Sequence, residues 1–176
     1  MSCLFLVTVS VSWYDKRIVF RDSKSCWELE NGEIMKIAVC VKRVPDTAIK
    51  IKIAPQGNTI DKTDIEYGMS PYDEIAMEHA IRLKEKMSGS EVIAVSLGPS
   101  DNEKIMRTCL AMGADRGILL EADPEADSFV IAQALSAALQ GEKPDVLLFG
   151  IKAADDDNAQ VGDRKSTRLN SSHVSQ

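Results

Sequence analysis

Four short apolar runs recur through the middle of the chain: Lys36 to Val41, Glu91 to Leu97, Ile118 to Leu120 and Val146 to Phe149. Unbroken runs of this length suit strands that are buried on both faces of a parallel sheet. Helical periods fill the gaps between them. Ser70 is placed to cap a helix with Pro71 at its first position, and Asp73 stands where it can close a capping box. Tyr72, Ile75, Ala76, His79 and Leu83 then fall on one face. Ser100-Asp101-Asn102-Glu103 repeats the capping pattern ahead of a helix that runs to Gly113, and Phe129 to Leu139 reads as a third helix stopped by Gly141. Ile49 to Ile53 alternates with lysines, turns through Pro55-Gln56-Gly57-Asn58 and returns at Thr59-Ile60, a half-exposed hairpin outside the main sheet. The order predicts an α/β fold, a doubly wound and mainly parallel sheet. Right-handed crossovers gather Cys40, Ser70, Leu97 and Gly150 near one edge of that sheet.

The stretch from Asp145 to Gly162 organises the rest. Gly150 ends the last strand, and its missing Cβ lets a ligand or a second backbone approach. A long loop at the carboxyl end of an α/β strand is the usual place for a ligand. This one carries three successive carboxylates, Asp155, Asp156 and Asp157, which repel a bare phosphate. Backbone amides and a following helix N-terminus could hold the phosphate instead, leaving the carboxylates for ribose hydroxyls or for fixing the loop. The residues alone slightly favour a solvated acidic turn. Three adjacent carboxylates point in different directions, so they are poorly placed to chelate one divalent ion.

Composition narrows the classes. Hydrophobic residues make up 44% and charged residues 27% of the 176, which supports one globular domain with a full core. The net charge of −6 and the lack of a basic run argue against nucleic acid. No apolar segment reaches membrane-spanning length, so no membrane insertion is expected. Cys3, Cys26, Cys40 and Cys109 form no C-x-x-C pair, which disfavours zinc or a disulfide framework and suits a reducing, cytoplasmic compartment. Cys40 reads as a small buried hydrophobe. His79 has no partner spaced to orient it and reads as a helix-boundary residue. Lys42 and Arg43, where the first strand hands over to a loop, are candidates for contact with a nucleotide or a partner, or for plain solvated surface. Asp115-Arg116 reads as a loop ion pair. No catalytic triad, Cys-His pair or Walker loop is present, so no bond-making catalysis is expected.

Both ends read differently from the body. Residues 1–34 hold both tryptophans and five of the nine aromatics, Phe5, Trp13, Tyr14, Phe20 and Trp27. Leu4 to Val11 could pass for an edge strand. The preferred reading is a translated upstream region outside the fold, with the start at Met35. Residues 163–176 have no helical or strand period and resemble an in-frame translation of a sequencing adapter. The expected domain is therefore 35–162, lacking its C-terminal part.

Several separated motifs carry a resemblance. Gly150, Ala153, Asp155, Asp156, Asp157, Gln160 and Gly162 match the pattern G-x-x-A-x-D-D-D-x-x-Q-x-G. Met69-Ser70-Pro71-Tyr72-Asp73-Glu74-Ile75-Ala76 is similar to M-N-P-[FY]-[CD]-E-x-A, with Ser70 in place of asparagine. Lys42-Arg43-Val44-Pro45-Asp46 and Met112-Gly113-Ala114-Asp115-Arg116-Gly117 match as well. Together these resemble the electron transfer flavoprotein β subunit along nearly all of 35–162. The resemblance implies an adenine-nucleotide alpha-hydrolase-like, Rossmann-like fold. It also implies a heterodimer with an α subunit that carries the redox FAD, and AMP held structurally in this subunit. In electron-bifurcating, NADH-oxidising relatives a second FAD takes the AMP site. The donors implied are acyl-CoA or other flavin dehydrogenases, and the acceptor is a quinone oxidoreductase, in a bacterial cytoplasm. The cofactor-binding positions carried over are Cys40, Ser70, Pro71, Tyr72, Asp73, Leu97, Gly150, Ile151, Lys152, Ala153, Ala154, Asp155, Asp156, Asp157, Asn158, Ala159, Gln160 and Val161. Val161 stands where the family often has threonine, so a hydroxyl contact there is absent. An ATP-binding module of the universal-stress type is the rival class; its glycine-rich G-x-x-G motif near the chain end is missing.

Overall fold

The computed structural model describes residues 35–162, apart from 47, 49–51, 56, 58, 59, 62, 63, 88 and 123–125, together with the backbone of Phe5–Val9. In chain order the elements are β1 (Phe5–Val9), β2 (Lys36–Val41), β3 (Arg43–Pro45), β4 (Tyr67–Met69), α1 (Pro71–Lys86), β5 (Glu91–Gly98), α2 (Glu103–Met112), β6 (Arg116–Glu121), α3 (Ser128–Glu142) and β7 (Val146–Gly150). A single 3₁₀ turn, Ser100–Asn102, leads into α2.

The main sheet has the order β1-β7-β2-β5-β6, and every pairing in it is parallel. From β2 the chain adds β5 and then β6 on one side, and only afterwards places β7 on the other. The strand order therefore reverses between β2 and β7, and this is the position at which open α/β sheets bind ligands. The expected fold class is the one observed. Residues 1–34 were expected to stand apart from the fold; the structure pairs Phe5–Val9 of that stretch with Val146–Gly150 in parallel register. The rest of 1–34 and all of 163–176 lie outside the described residues.

Strand side chains alternate between two cores, because successive Cβ atoms leave a strand on opposite faces. Ile37, Val39, Val41, Val92, Ala94, Val146 and Leu148 meet Ala76, Met77 and Ala80 of α1 and Ile105, Met106 and Cys109 of α2. Ala38, Cys40, Ile93, Val95, Leu147 and Phe149 meet Leu135 and Leu139 of α3 on the opposite face. Burial on both sides is why these strands are apolar without interruption.

The helix faces and ends depart from the sequence reading in four places. The buried face of α1 is Asp73, Ala76, Met77 and Ala80, while Ile75 is exposed, so the stripe is rotated by about a residue from the expected one. Neither expected capping box is seen: Ser70 makes no side-chain cap bond, and Ser100 stands inside the 3₁₀ turn while Asn102, the residue before α2, makes no cap bond either. Asp73 and Asn102 are instead drawn to partners in the sheet, described below. Helix α3 continues past Gly141 and stops at Lys143, which takes a left-handed conformation with φ 49°. Helix α2 ends before Gly113 as expected. Of the expected hairpin, the described residues show one antiparallel bridge, Ile53 with Ile60; the antiparallel pairing of β3 with β4 was not read from the sequence.

At the amino edge of the sheet one device occurs twice. Asp145, just before β7, donates its amide to the Lys36 carbonyl at 2.8 Å and accepts the Lys36 amide on Oδ2 at 2.8 Å. Asp115, just before β6, does the same to Val92, at 2.9 and 2.8 Å. The expected Asp115–Arg116 pair does not form. Asp115 pairs with Lys84 of α1, and Arg116 pairs with Glu91 and Glu142. Adjacent residues entering a strand point to opposite faces, so each finds a partner on its own side.

Candidate functional site

Parallel strands feed helices that run back over the sheet, so the N-termini of α1, α2 and α3 lie on the side of the sheet where the strands end. At the switch point that edge is defined by Lys42, following β2, and Gly150, the last residue of β7.

Gly150 carries the closest approach in the site. A Cβ there would lie 2.3 Å from Asp73 Oδ1 and 2.9 Å from both the Asp73 nitrogen and the Tyr72 carbonyl carbon. The space that the glycine leaves is thus taken by the first turn of α1. Asp73 is buried, and its carboxylate joins three elements: Oδ2 accepts the Lys42 amide at 2.8 Å and Oδ1 accepts the Gly150 amide at 3.0 Å. Burial pushes the Asp73 carboxyl up to about 7, against the opposing pull of the two amides and the Lys42 charge. Ser70 donates its amide to the Lys42 carbonyl at 3.0 Å; its hydroxyl is buried and has no partner.

The loop after Gly150 is held by lysines. Lys42 Nζ lies 2.9 Å from Asp155 and 3.0 Å from Asp156, and Lys152 Nζ lies 2.8 Å from Asp157. Half-burial works against the charge on Lys42, but the hydrogen bonds from its two carboxylates outweigh it and raise its pKa. The Asp156 carboxyl is held below its ordinary value: burial opposes this, and the bonds from Lys42 and from the Asn158 amide prevail. Lys152 also sits 5.8 Å from the Tyr72 ring centroid, which brings the loop beside the first turn of α1. The backbone turns back through two left-handed residues, Asp157 at φ 52° and Ala159 at φ 50°. Asn158 reaches the Ser128 hydroxyl at the start of α3, at 3.2 Å. Val161 packs into the α3-side core. Where a threonine would offer a hydroxyl, this side chain anchors the loop's return.

The remaining carried-over positions spread along the same edge. Cys40 is buried on the α3 face, and Leu97 is packed against that core with its carbonyl accepting from Asn102 Nδ2 at 3.3 Å. Pro71 is exposed, and Ile151, Lys152, Ala153 and Ala154 are half-buried. Asp155, Asp156, Asp157, Asn158, Ala159 and Gln160 are exposed. Arg43 turns away from the loop, 3.6 Å from Asp101 and 4.0 Å above the Tyr67 ring. Ser128 and the role of Lys42 as the loop's counter-ion were not read from the sequence. The cations Lys42 and Arg43 at a strand end, set against three carboxylates later in the chain, were the available signal for Lys42; nothing local marks Ser128.

Lys42→Met is expected to change the free energy of unfolding by less than about 1 kcal/mol, since both ion pairs are partly solvated. The amides of Asp155 to Asn158 should nevertheless exchange with solvent several-fold faster. Unchanged exchange in that segment would show that the ammonium does not hold the loop.

A parallel sheet with a crossed-over strand order, a glycine-ended strand at the switch point and a long loop beyond it define a Rossmann-like, doubly wound domain. Residues 57–176 match the family model "Electron transfer flavoprotein domain". Among similar curated proteins, the electron transfer flavoprotein subunit beta of Syntrophomonas wolfei is 44% identical over 140 residues, covering 80% of this chain and 55% of the relative. That of Bradyrhizobium diazoefficiens is 41% identical over 128 residues, covering 73% and 51%. The human one is 44% identical over 132 residues, covering 73% and 52%. The chain belongs to the electron transfer flavoprotein family, on the side of its β subunits, and it spans about half the length of the curated relatives it matches.

Proposed function

We propose that this chain is the nucleotide-binding part of an electron transfer flavoprotein β subunit, and that an adenylate lies between Tyr72 and the loop from Gly150 to Val161. The observation that carries this reading is the loop's charge balance at the switch point. Lys42 and Lys152 together neutralise most of the negative charge of Asp155, Asp156 and Asp157. The repulsion that would keep a phosphate out is thereby relieved, and main-chain amides of the loop can meet it. The buried Ser70 hydroxyl, just before α1, adds a polar group without a protein partner beside the same first turn.

In this reading AMP acts as a structural anchor, and a flavin in the same place would supply a redox-active ring. This chain's own part is to bind and orient. The loop cradles the phosphate, Tyr72 walls the opposite side, and the carboxylates left facing solvent accept ribose hydroxyls. The companion is an α subunit carrying the redox FAD. Electrons pass from flavin dehydrogenases, such as acyl-CoA dehydrogenases, toward a quinone-linked acceptor in the cytoplasm. The subunit carries electrons and performs no bond-making step. Among the described residues no helix is long and apolar enough to cross a membrane.

Co-purification with the α subunit, followed by heat release and chromatography of the bound nucleotides, tests the reading. One AMP and one FAD per heterodimer are expected. Two FAD and no AMP would point to the bifurcating, NADH-oxidising type. An intact heterodimer that passes electrons with no adenylate in this subunit would overturn the proposal.

A further inference from the structure

An aspartate in the first turn of a helix ordinarily serves that helix, by capping its amides or offsetting its dipole. Asp73 serves the sheet instead. Its two oxygens are each taken by a main-chain amide, Lys42 at 2.8 Å and Gly150 at 3.0 Å, and those partners are 31 and 77 residues away in sequence. They are also the amides on the two strands that flank the switch point. Lys42 goes on to hold the loop through its side chain, and Gly150 begins that loop, so both ends of the cradle are set by one carboxylate.

We propose that Asp73 is a positioning residue. By gripping the Lys42 and Gly150 amides it sets the distance between the ends of β2 and β7, and so the shape of the crevice. The adenylate part of this inference rests on the function proposed above; the grip itself does not. A protonated carboxyl keeps a good acceptor for only one of the two amides, so the grip loosens when Asp73 takes up a proton. The charged groups around it are Lys42 at the end of β2, Asp155 and Asp156 in the loop, and the Cys109 thiol of α2. Burial pushes that thiol up to about 11, so it is silent near neutrality. β7 carries no charged side chain, and β5 carries only Glu91, at its opposite end and paired with Arg116.

Two measurements on the full chain test this. In nitrogen–proton correlation spectra from pH 5 to 9, the Lys42 and Gly150 amides should shift together with one shared midpoint near neutrality. Separate midpoints, or none, would overturn the grip, and this needs no variant. In calorimetric titrations with AMP, affinity should fall about tenfold from pH 8 to pH 6, as the fraction of chain with both amides held declines. Asp73→Asn should bind more weakly at pH 8 and keep only the pH dependence of the AMP phosphate itself. An identical pH profile for wild type and Asp73→Asn would reject the positioning role. Shared amide titration with no AMP binding at any pH would support the grip and overturn the adenylate reading alone.

Discussion

Substituting alanine for Gly150 is expected to lower the free energy of unfolding by about 3 kcal/mol, the upper part of the range for forcing extra atoms into a packed site. Two of the three atoms the new methyl meets are backbone atoms of Tyr72 and Asp73, at 2.9 Å, and these cannot rotate aside. The third is the Asp73 oxygen that accepts the Gly150 amide, at 2.3 Å. Relief of the clash therefore separates α1 from β7 and breaks that bond as well, leaving a buried amide and a buried carboxylate each short of a partner. Urea unfolding measures the loss. Gly141→Ala supplies the comparison, because a methyl there meets nothing within 4 Å and adds helix propensity. Equal effects at the two positions would mean that the approach of α1 to Gly150 is not tight.

The second large effect concerns pH. Between about pH 4 and pH 7 the protein is expected to lose stability as the pH rises, with Asp73 contributing on the order of 4 kcal/mol. The sign follows from the direction of the shift. Burial raises this carboxyl from 3.8 to about 7 in the folded chain. Over that interval the folded chain holds a proton that the unfolded chain has released. The contribution is thus full below the unfolded value and is gone once the pH has passed the folded one. Asp115, Asp156 and Glu142 act in the opposite sense, since their ion pairs lower their values. What they contribute is present above their unfolded values and fails as the pH falls below that range. The two groups therefore act in different windows. Unfolding at pH 4.5 and 7.5 should show the decline in the wild type and a flatter line for Asp73→Asn. A slope that the substitution leaves unchanged would place its source elsewhere. Asp73 is least favourable to the fold in the same range where, ionised, it holds both amides. Shape at the crevice comes at a cost in stability, a trade that is common at functional sites.

Much of this architecture was legible in the sequence because burial on two faces writes itself as continuous apolar runs. β2, β5, β6 and β7 were each found to within a residue or two, and the reversal of strand order was already implicit in the alternation of strand and helix. Gly150 was read as a point of close approach; it is one, and the approaching group is a neighbouring helix. The misreadings share one physical cause, which is that polar side chains were assigned to neighbours in sequence. Asp73 looked like a local cap and is bonded across the sheet edge. Asp115 and Arg116 looked like each other's partner and found Lys84, Glu91 and Glu142. Local patterns register which groups need partners, whereas the sheet decides which partners are within reach.

The doubled aspartate device at the amino edge has a consequence for how the chain finds its pairing. A parallel sheet has no tight hairpin to fix which residue faces which, and sliding one strand by a single position exchanges its two faces. Asp145 fits Lys36, and Asp115 fits Val92, through a closed ring of two hydrogen bonds that only one alignment permits. Slipping either strand would open its ring and strand a carboxylate. These two aspartates act as dowels: they let a sheet assembled from distant pieces of chain lock at its foot, so that the opposite lip, where Asp73 joins Lys42 and Gly150, is built on a frame that is already true.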